Sequence, residues 1–519
     1  MLFNSFEFIF LFLPCVVCIY TLCLRHNKME LGLSFLVLAS LFFYGYWQPA
    51  YLYLILFSIA LNYFIGRKLC ILGKENGKWL LIAGISINLA LLGYFKYANF
   101  FVENLDSLLD LDWNIEKIFL PLAISFFTFQ QISYLVDVWE GKAEEYSFLH
   151  YSLFVCFFPQ LIAGPIVHHR EMLPQFMRKE TFPNLWKNIA IGLSIFCVGL
   201  FKKTIIADGL SPYVSPVYDN TIVPGQLDFF TAWGSTLAYT FQLYFDFSGY
   251  SDMAIGCARM FGIVLPLNFF SPYKAVSIID FWRRWHITLS RFLRDYLYIA
   301  LGGNRKGKSR RYINLFLTML LGGLWHGAGW PFVIWGGLHG MYLAVNHLWR
   351  KIIASLSLNI SENKLYILAC WLITFLAVVV SWVFFRSPNL DQAGKILYAM
   401  AGFNGASLPS GIVARIGGLE EILASLGVGV NDLSGSHFLG NVLCIVMAAF
   451  LAFFMPNVAQ VFNRYSPVLY ESDKSFKGER ESSSVEWSFS LRWVFASSSF
   501  FLLGVLTLMQ VSEFLYFQF

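Results

Sequence analysis

Residues 320–340 read LLGGLWHGAGWPFVIWGGLHG. Two apolar runs meet here, and an imidazole sits in each: His326 at the end of the first and His339 within the second. Ionisable groups inside apolar membrane-length segments are costly and default to functional hypotheses. A neutral imidazole can accept a hydroxyl proton near pH 7. Passing an acyl group from a thioester to an alcohol needs that proton movement. The flanking glycines let backbone approach closely, which could admit a linear thioester chain or aim amide donors at a developing oxyanion. Tight packing of one helix on another is an equally physical use for them. For either histidine the plain structural alternative is a hydrogen bond to a backbone carbonyl.

The rest of the chain repeats the apolar theme. Of 519 residues, 57% are hydrophobic and 18% aromatic, and only 13% are charged. Soluble domains average about 25% charged residues, so a soluble protein is excluded. A hydrocarbon crossing takes about 20 apolar residues. Runs of that order lie near 3–24, 31–47, 51–69, 79–101, 117–137, 150–167, 189–207, 229–262, 313–325, 330–349, 363–386, 437–463 and 490–511. No barrel-like alternation is visible. The fold class is therefore all-α: one polytopic membrane helical domain over 1–511 and a short aromatic tail, 512–519. Roughly eleven to thirteen helices would span the bilayer or re-enter it. The runs 150–167 and 313–325 are short, and Pro159 and Pro165 interrupt the first. No basic region precedes the apolar stretch of residues 1–24, so a retained first span is expected rather than a cleaved signal.

Basic residues favour the cytoplasmic side. Arg25, Lys28, Arg67, Lys68, Lys74 and Lys78 against the acidic 103–116 loop put the N-terminus outside, and Arg464, Lys474, Lys477, Arg480 and Arg492 put the final residues outside too. Segment 387–436 then becomes an external loop long enough to dock a partner.

The most basic stretch, 281–311, holds Arg283, Arg284, Arg291, Arg294, Arg305, Lys306, Lys308, Arg310 and Arg311. Within it Trp282, Trp285, Leu289, Phe292 and Tyr296 recur at helical steps. A basic amphipathic helix of this kind suits the bilayer surface. Its cations could meet the phosphates of a cytoplasmic donor such as acetyl-CoA, with Arg283, Arg284, Arg291 and Arg294 the donor-binding candidates, or anchor to anionic lipid. His286 lies on the same stretch.

Nine cysteines, scattered through apolar segments, make neither a disulfide framework nor a zinc pattern. Cys15 and Cys18 have redox-motif spacing but read as packing residues. His168 and His169 are adjacent, so they do not share a helix face, and no metal site is expected. Asp246 and Asp252 are read as structural, pairing with Arg259 or with backbone amides.

Several blocks together carry a family resemblance. LIAGPIVHHREMLPQF (161–176), LYFDFSGYSDMAIG (243–256), FWRRWHITLSRFLRDYLYIALGGNRKG (281–307) and GGLWHGAGWPFVIWGGLHG (322–340) resemble the signature blocks of bacterial membrane-bound O-acyltransferases, and LFLP (11–14), YFKYANFF (94–101) and SWVFFRSPNL (381–390) agree. The branch resembled is that of alginate O-acetylation, with peptidoglycan O-acetyltransferase and teichoic-acid D-alanylation membrane components as relatives. The resemblance implies that His326, in the WHG block, is catalytic, and that His286, in the WRRWH block, is a second histidine near the acyl tunnel. It implies an acyl-CoA donor, acetyl-CoA in this branch, and no bound cofactor. It further implies a polysaccharide acceptor, a serine-hydrolase-like (SGNH) partner outside the cytoplasmic (inner) membrane, and no nucleic acid.

The chain ends FLYFQF, which sets Phe514, Tyr516 and Phe519 in the spacing F-x-Y-x-x-F. Such residues can form an interfacial belt. In the D-alanylation relatives a similar motif is thought to hold the acyl group on its tyrosine. Since phenol has a pKa of ~10, an acyl-tyrosine ester would keep much of a thioester's transfer potential. The rival reading from another class is a transporter or flippase of lipid-linked sugar or acyl donor, but no internal repeat or paired broken helices support it.

Overall fold

The computed structural model describes the chain apart from residues 111–112, 114–115, 144–145, 163, 178–183, 223–224, 306, 358–361, 417, 419, 471–475, 482, 509–514 and 516–519. Tyr516, Phe514 and Phe519 therefore lie outside the described residues. Helix dominates the described residues, and most of the expected runs become helices, but 117–137 is helical only from Ile124, 150–167 breaks into Phe148–Cys156 and Phe158–Leu161, and the helix of 437–463 ends at Phe454. Among the described residues six helices are long and apolar enough to cross a membrane: Glu7–Arg25, Tyr51–Asn76, Lys78–Leu109, Leu185–Tyr218, Lys364–Arg386 and Gly435–Phe454. Met29–Gly45 and Leu491–Leu506 are shorter apolar helices.

The interrupted run behaves as its prolines imply. Phe148–Cys156 spans 9 residues before Phe157, with φ −51° and ψ 109°, ends the helix. At ~1.5 Å per residue it covers about 14 Å, half of a bilayer core. By contrast Lys308–His326, expected to be short, runs for 19 residues.

Two expectations are corrected. The stretch 281–311 is not one amphipathic surface helix. It breaks at Trp285 and His286 into Ile278–Arg284 and Ile287–Phe292, followed by a π-helical turn, Leu293–Tyr298. Its apolar face is turned inward: Trp282, Trp285, Leu289 and Phe292 are all buried, with Trp282 against Trp335 and Trp285 against Phe269 and Trp382. Cys15 and Cys18 are exposed on the first helix rather than packed inside, since they lie on the face opposite Val16 and Tyr20.

Segment 387–436 is folded. Asn389 caps Leu390–Met400 by accepting the Gln392 N–H at 2.9 Å. Ala406–Pro409 then pairs in parallel with Val428–Asn431. The Asp228 carboxylate holds this small sheet, accepting the Ser407 N–H at 2.8 Å and the Ser407 hydroxyl.

The chain divides into two compact units, each discontinuous in sequence. One comprises Met1–Phe201, Gly249–Asn268 and Val458–Gln518; the other is built from Lys202–Ser248 and Phe269–Asn457. Polar side chains hold the helices of the first unit together. Asn62 and Asn88 exchange amide hydrogen bonds at 3.2 and 2.7 Å, and Gln131 donates to Ser58 at 2.7 Å while accepting from Tyr151 at 3.1 Å. Bonds of this kind join helices where no water competes. The second unit carries all three histidines of the WRRWH, WHG and GGLHG blocks.

Candidate active site

The Lys308–His326 and Trp330–Ser355 helices form a hairpin joined by Gly327, Ala328 and Gly329. Glycine sets how closely they approach. A Cβ on Gly323 would strike the Phe332 carbonyl, and one on Gly336 would strike the Met319 carbonyl. A Cβ on Gly340 would come within 2.9 Å of the Phe316 ring. These three glycines therefore serve the close packing of the two helices. The hairpin leaves His326 as the last residue of its helix, directly before the turn.

His326 is enclosed by rings. Centroid separations are 4.9 Å to Trp325, 5.1 Å to Trp335 and 5.2 Å to Phe385, all edge-on. His286 completes the set with its imidazole 6.3 Å from that of His326. The two histidines, far apart in sequence, are brought together by the break at Trp285. His286 adopts φ 42° and ψ 53° there, a left-handed conformation that costs a non-glycine residue about 1–2 kcal/mol. Packing must offset that cost: Trp285 lies 5.0 Å from Trp382 and 5.1 Å from Phe269, and the His286 ring is 4.9 Å from Phe247. Strain of this kind concentrates at functional sites.

His339 is different in its bonding. Its Nδ1 accepts the Trp282 indole N–H at 3.2 Å, and its Nε2 meets the Ser381 hydroxyl at 3.0 Å. Of the three imidazoles, His326 alone retains exposure, 6% against 0% for His286 and His339.

The four candidate arginines do not act as one surface. Arg284 is buried, its Nε 2.9 Å from the Asp280 carboxylate. Arg283 and Arg294 are exposed, Arg294 beside Asp295 at 2.7 Å, and Arg291 is half-buried. Asp246 pairs not with Arg259 but with Lys203, at 2.6 Å. Arg259 instead donates to the Tyr465 and Ser466 carbonyls at 3.2 Å each. Elsewhere, in the first unit, the His168 N–H donates to Glu171 at 3.0 Å and the His169 ring lies 3.5 Å from Asp137.

Sequence reasoning passed over two groups of residues. Lys203 is a cation inside an apolar run, which the cost of intramembrane charge should have flagged. Ser381, Trp382 and Phe385 belong to the SWVFFR block, quoted only for its resemblance; they now form part of the walls around the histidines.

Residues 140–385 match the model of MBOAT, the membrane-bound O-acyltransferase family. The peptidoglycan O-acetyltransferase of Helicobacter pylori is 47% identical over 79% of this chain and 81% of its own length. A protein of Pseudomonas putida named "Probable alginate O-acetylase AlgI" is 42% identical over 81% of this chain and 84% of its own. The teichoic acid D-alanyltransferase of Bacillus subtilis is 29% identical over 44% of this chain. With identity of this level over four fifths of its length, a multi-pass helical architecture and the block histidines gathered in one unit, the chain belongs to the membrane-bound O-acyltransferase family and is an acyltransferase, not a flippase.

Proposed function

We propose that the protein moves an acetyl group from acetyl-CoA, arriving from the cytoplasm, toward a polysaccharide outside the cytoplasmic membrane. The carrying observation is the setting of His326: a helix-terminal imidazole with residual access, walled by rings and paired with His286 at 6.3 Å. His326 acts as general base. It takes the proton of an attacking hydroxyl, the oxygen adds to the thioester carbonyl, and collapse of the tetrahedral intermediate breaks the carbon–sulfur bond. The CoA thiolate leaves and takes that proton from the His326 imidazolium, which returns to its neutral form. His286 positions or assists. Exclusion of water by the surrounding rings strengthens the electrostatics of each step.

The hydroxyl belongs to Tyr516 or to the acceptor itself. In the first case the tail carries the acetyl group as a phenyl ester to an SGNH-type partner outside, which completes transfer to the sugar. The exposed cations Arg283 and Arg294 meet the donor's phosphates. The acceptor is an exopolysaccharide of the alginate type. A second acceptor, peptidoglycan, is supported by the 47% identity to a peptidoglycan O-acetyltransferase, beside the 42% to the alginate relative.

His326→Ala in membranes, at unchanged expression, is expected to lower polysaccharide acetylation by about 10²–10⁴, the usual worth of a general base. Undiminished acetylation would reject the role. Tyr516→Phe keeps the aromatic belt and removes the nucleophile. It should abolish transfer of label from acetyl-CoA to the protein, and persistence of tyrosine-bound label elsewhere would exclude Tyr516 as carrier. Mass analysis of the modified glycan identifies the acceptor.

A further inference from the structure

Three helices contribute walls to the His326 enclosure or the adjoining His286 turn, and a single side chain ties them together one layer behind. That side chain is His339. On its own helix it lies four residues after Trp335, on the same face, and the two rings are 4.8 Å apart. Its Nδ1 bond reaches Trp282, four residues ahead of His286. Its Nε2 bond reaches Ser381, four residues ahead of Phe385 on the Lys364–Arg386 helix. Trp335 and Phe385 are two of the rings that touch His326. The Phe281 ring stacks over the imidazole at 6.1 Å.

The hydrogen bonds allow one protonation pattern. An indole only donates, so Nδ1 must present its lone pair to Trp282. The ring proton then sits on Nε2 and goes to the Ser381 oxygen. Ser381 spends its own hydrogen on the Val378 carbonyl at 2.7 Å. The chain runs indole to imidazole to hydroxyl to carbonyl without a conflict. Both ring nitrogens are occupied and the side chain is fully buried, so His339 has neither lone pair nor proton to offer a substrate.

We infer that His339 is a positioning residue for the transfer reaction: by binding Trp282 and Ser381 at once it fixes Trp335, Phe385 and the His286 turn around His326. This rests on the reading of His326 as the base. A residue of this kind acts on the rate of the chemical step, because a misplacement of about 1 Å in a reacting group can cost about 10²-fold. It leaves donor binding alone.

The test compares His339→Leu, His339→Gln and Ser381→Ala with wild type, using labelled acetyl-CoA and protein in native membranes, with rates normalised to folded protein. Leucine removes both bonds and keeps bulk. Glutamine can accept from Trp282 through its carbonyl and donate to Ser381 through its amide. His339→Leu should lower kcat by about 10²-fold with the donor KM changed by less than about twofold. His339→Gln should recover most of that loss, and Ser381→Ala should fall between. Wild-type kcat in His339→Leu, or a raised KM with kcat intact, overturns the inference. So does a folded His339→Gln as slow as the leucine variant, which would give the imidazole a chemical role. Should His339→Leu fail to fold, the glutamine and Ser381→Ala variants still decide. His326→Ala run alongside separates the two claims: active His326→Ala removes the base assignment, whereas inactive His326→Ala with fast His339→Leu removes only this one.

Discussion

Two buried polar regions of the same compact unit solve the cost of polarity in an apolar interior in opposite ways. Around His326 and His339 the setting is aromatic: rings line both imidazoles, and His339 is satisfied by an indole and a hydroxyl. Around Lys203 the answer is ionic. Its ammonium lies 2.6 Å from Asp246 and 2.8 Å from Asp208, with Lys203 and Asp246 both buried. Lys203 lies in a π-helical turn, Lys202–Ala207, a distortion frequent at functional sites. Neutral bonding leaves an imidazole able to gain a proton during a reaction. An ion pair holds fixed charge and serves position. Asp246 immediately precedes Phe247 on the Phe229–Met260 helix, and the Phe247 ring lies against His286, so one helix contributes to both regions.

The largest effect should come from breaking the ionic region. Removing one partner of a buried pair costs about 3–5 kcal/mol, whereas replacing the whole pair with apolar residues is near neutral. Lys203→Met leaves two carboxylates facing each other and should lower the thermal unfolding midpoint in detergent strongly. Asp246→Asn leaves Lys203 with Asp208 and should cost less. The triple replacement Lys203→Met, Asp208→Asn, Asp246→Leu should regain most of the loss. Losses below about 1 kcal/mol for both single variants would mean the pairs carry little of the local stability.

That contrast also explains what the sequence could and could not disclose. The apolar runs were legible because hydrocarbon length and hydropathy leave few alternatives. His326 and His286 stood out through their blocks, but nothing in their spacing brought them together. Their meeting depends on the break at Trp285, where neither glycine nor proline marks a turn. Ring packing overrides the local helical period there, as tertiary context commonly does. The same override drew Trp282 and Trp285 inward, against the amphipathic reading. For Asp246 the sequence left Arg259 and backbone amides open as partners; the ion pair forms with Lys203, and choosing Lys203 requires knowing which helices are neighbours.

The neutral region can be loosened without touching an imidazole. Gly336→Ala places a methyl against the Met319 carbonyl and forces the hairpin apart. Overpacking of this kind costs about 1–3 kcal/mol. Since His326 ends one arm of the hairpin and Trp335 precedes Gly336 on the other, the rate should fall more than the stability does. A variant with a lowered unfolding midpoint and an unchanged rate would separate the hairpin spacing from the site.

The smallest effect is expected where charge meets water. Arg294 lies beside Asp295 at 2.7 Å, Arg294 exposed and Asp295 half-buried, and pairs open to solvent contribute about 0–1 kcal/mol. Arg294→Ala should therefore leave the unfolding midpoint almost unmoved. If its cation meets donor phosphates, the donor KM rises instead, and the rise shrinks with added salt because exposed charges are screened within about 8–10 Å. Arg284→Ala supplies the counterpart, since its buried guanidinium holds Asp280 at 2.9 Å: stability falls, and the salt dependence of KM stays as in wild type. The two arginines thus test whether a cation in this stretch works by where it points or by what it holds, the same division that separates the histidines from Lys203.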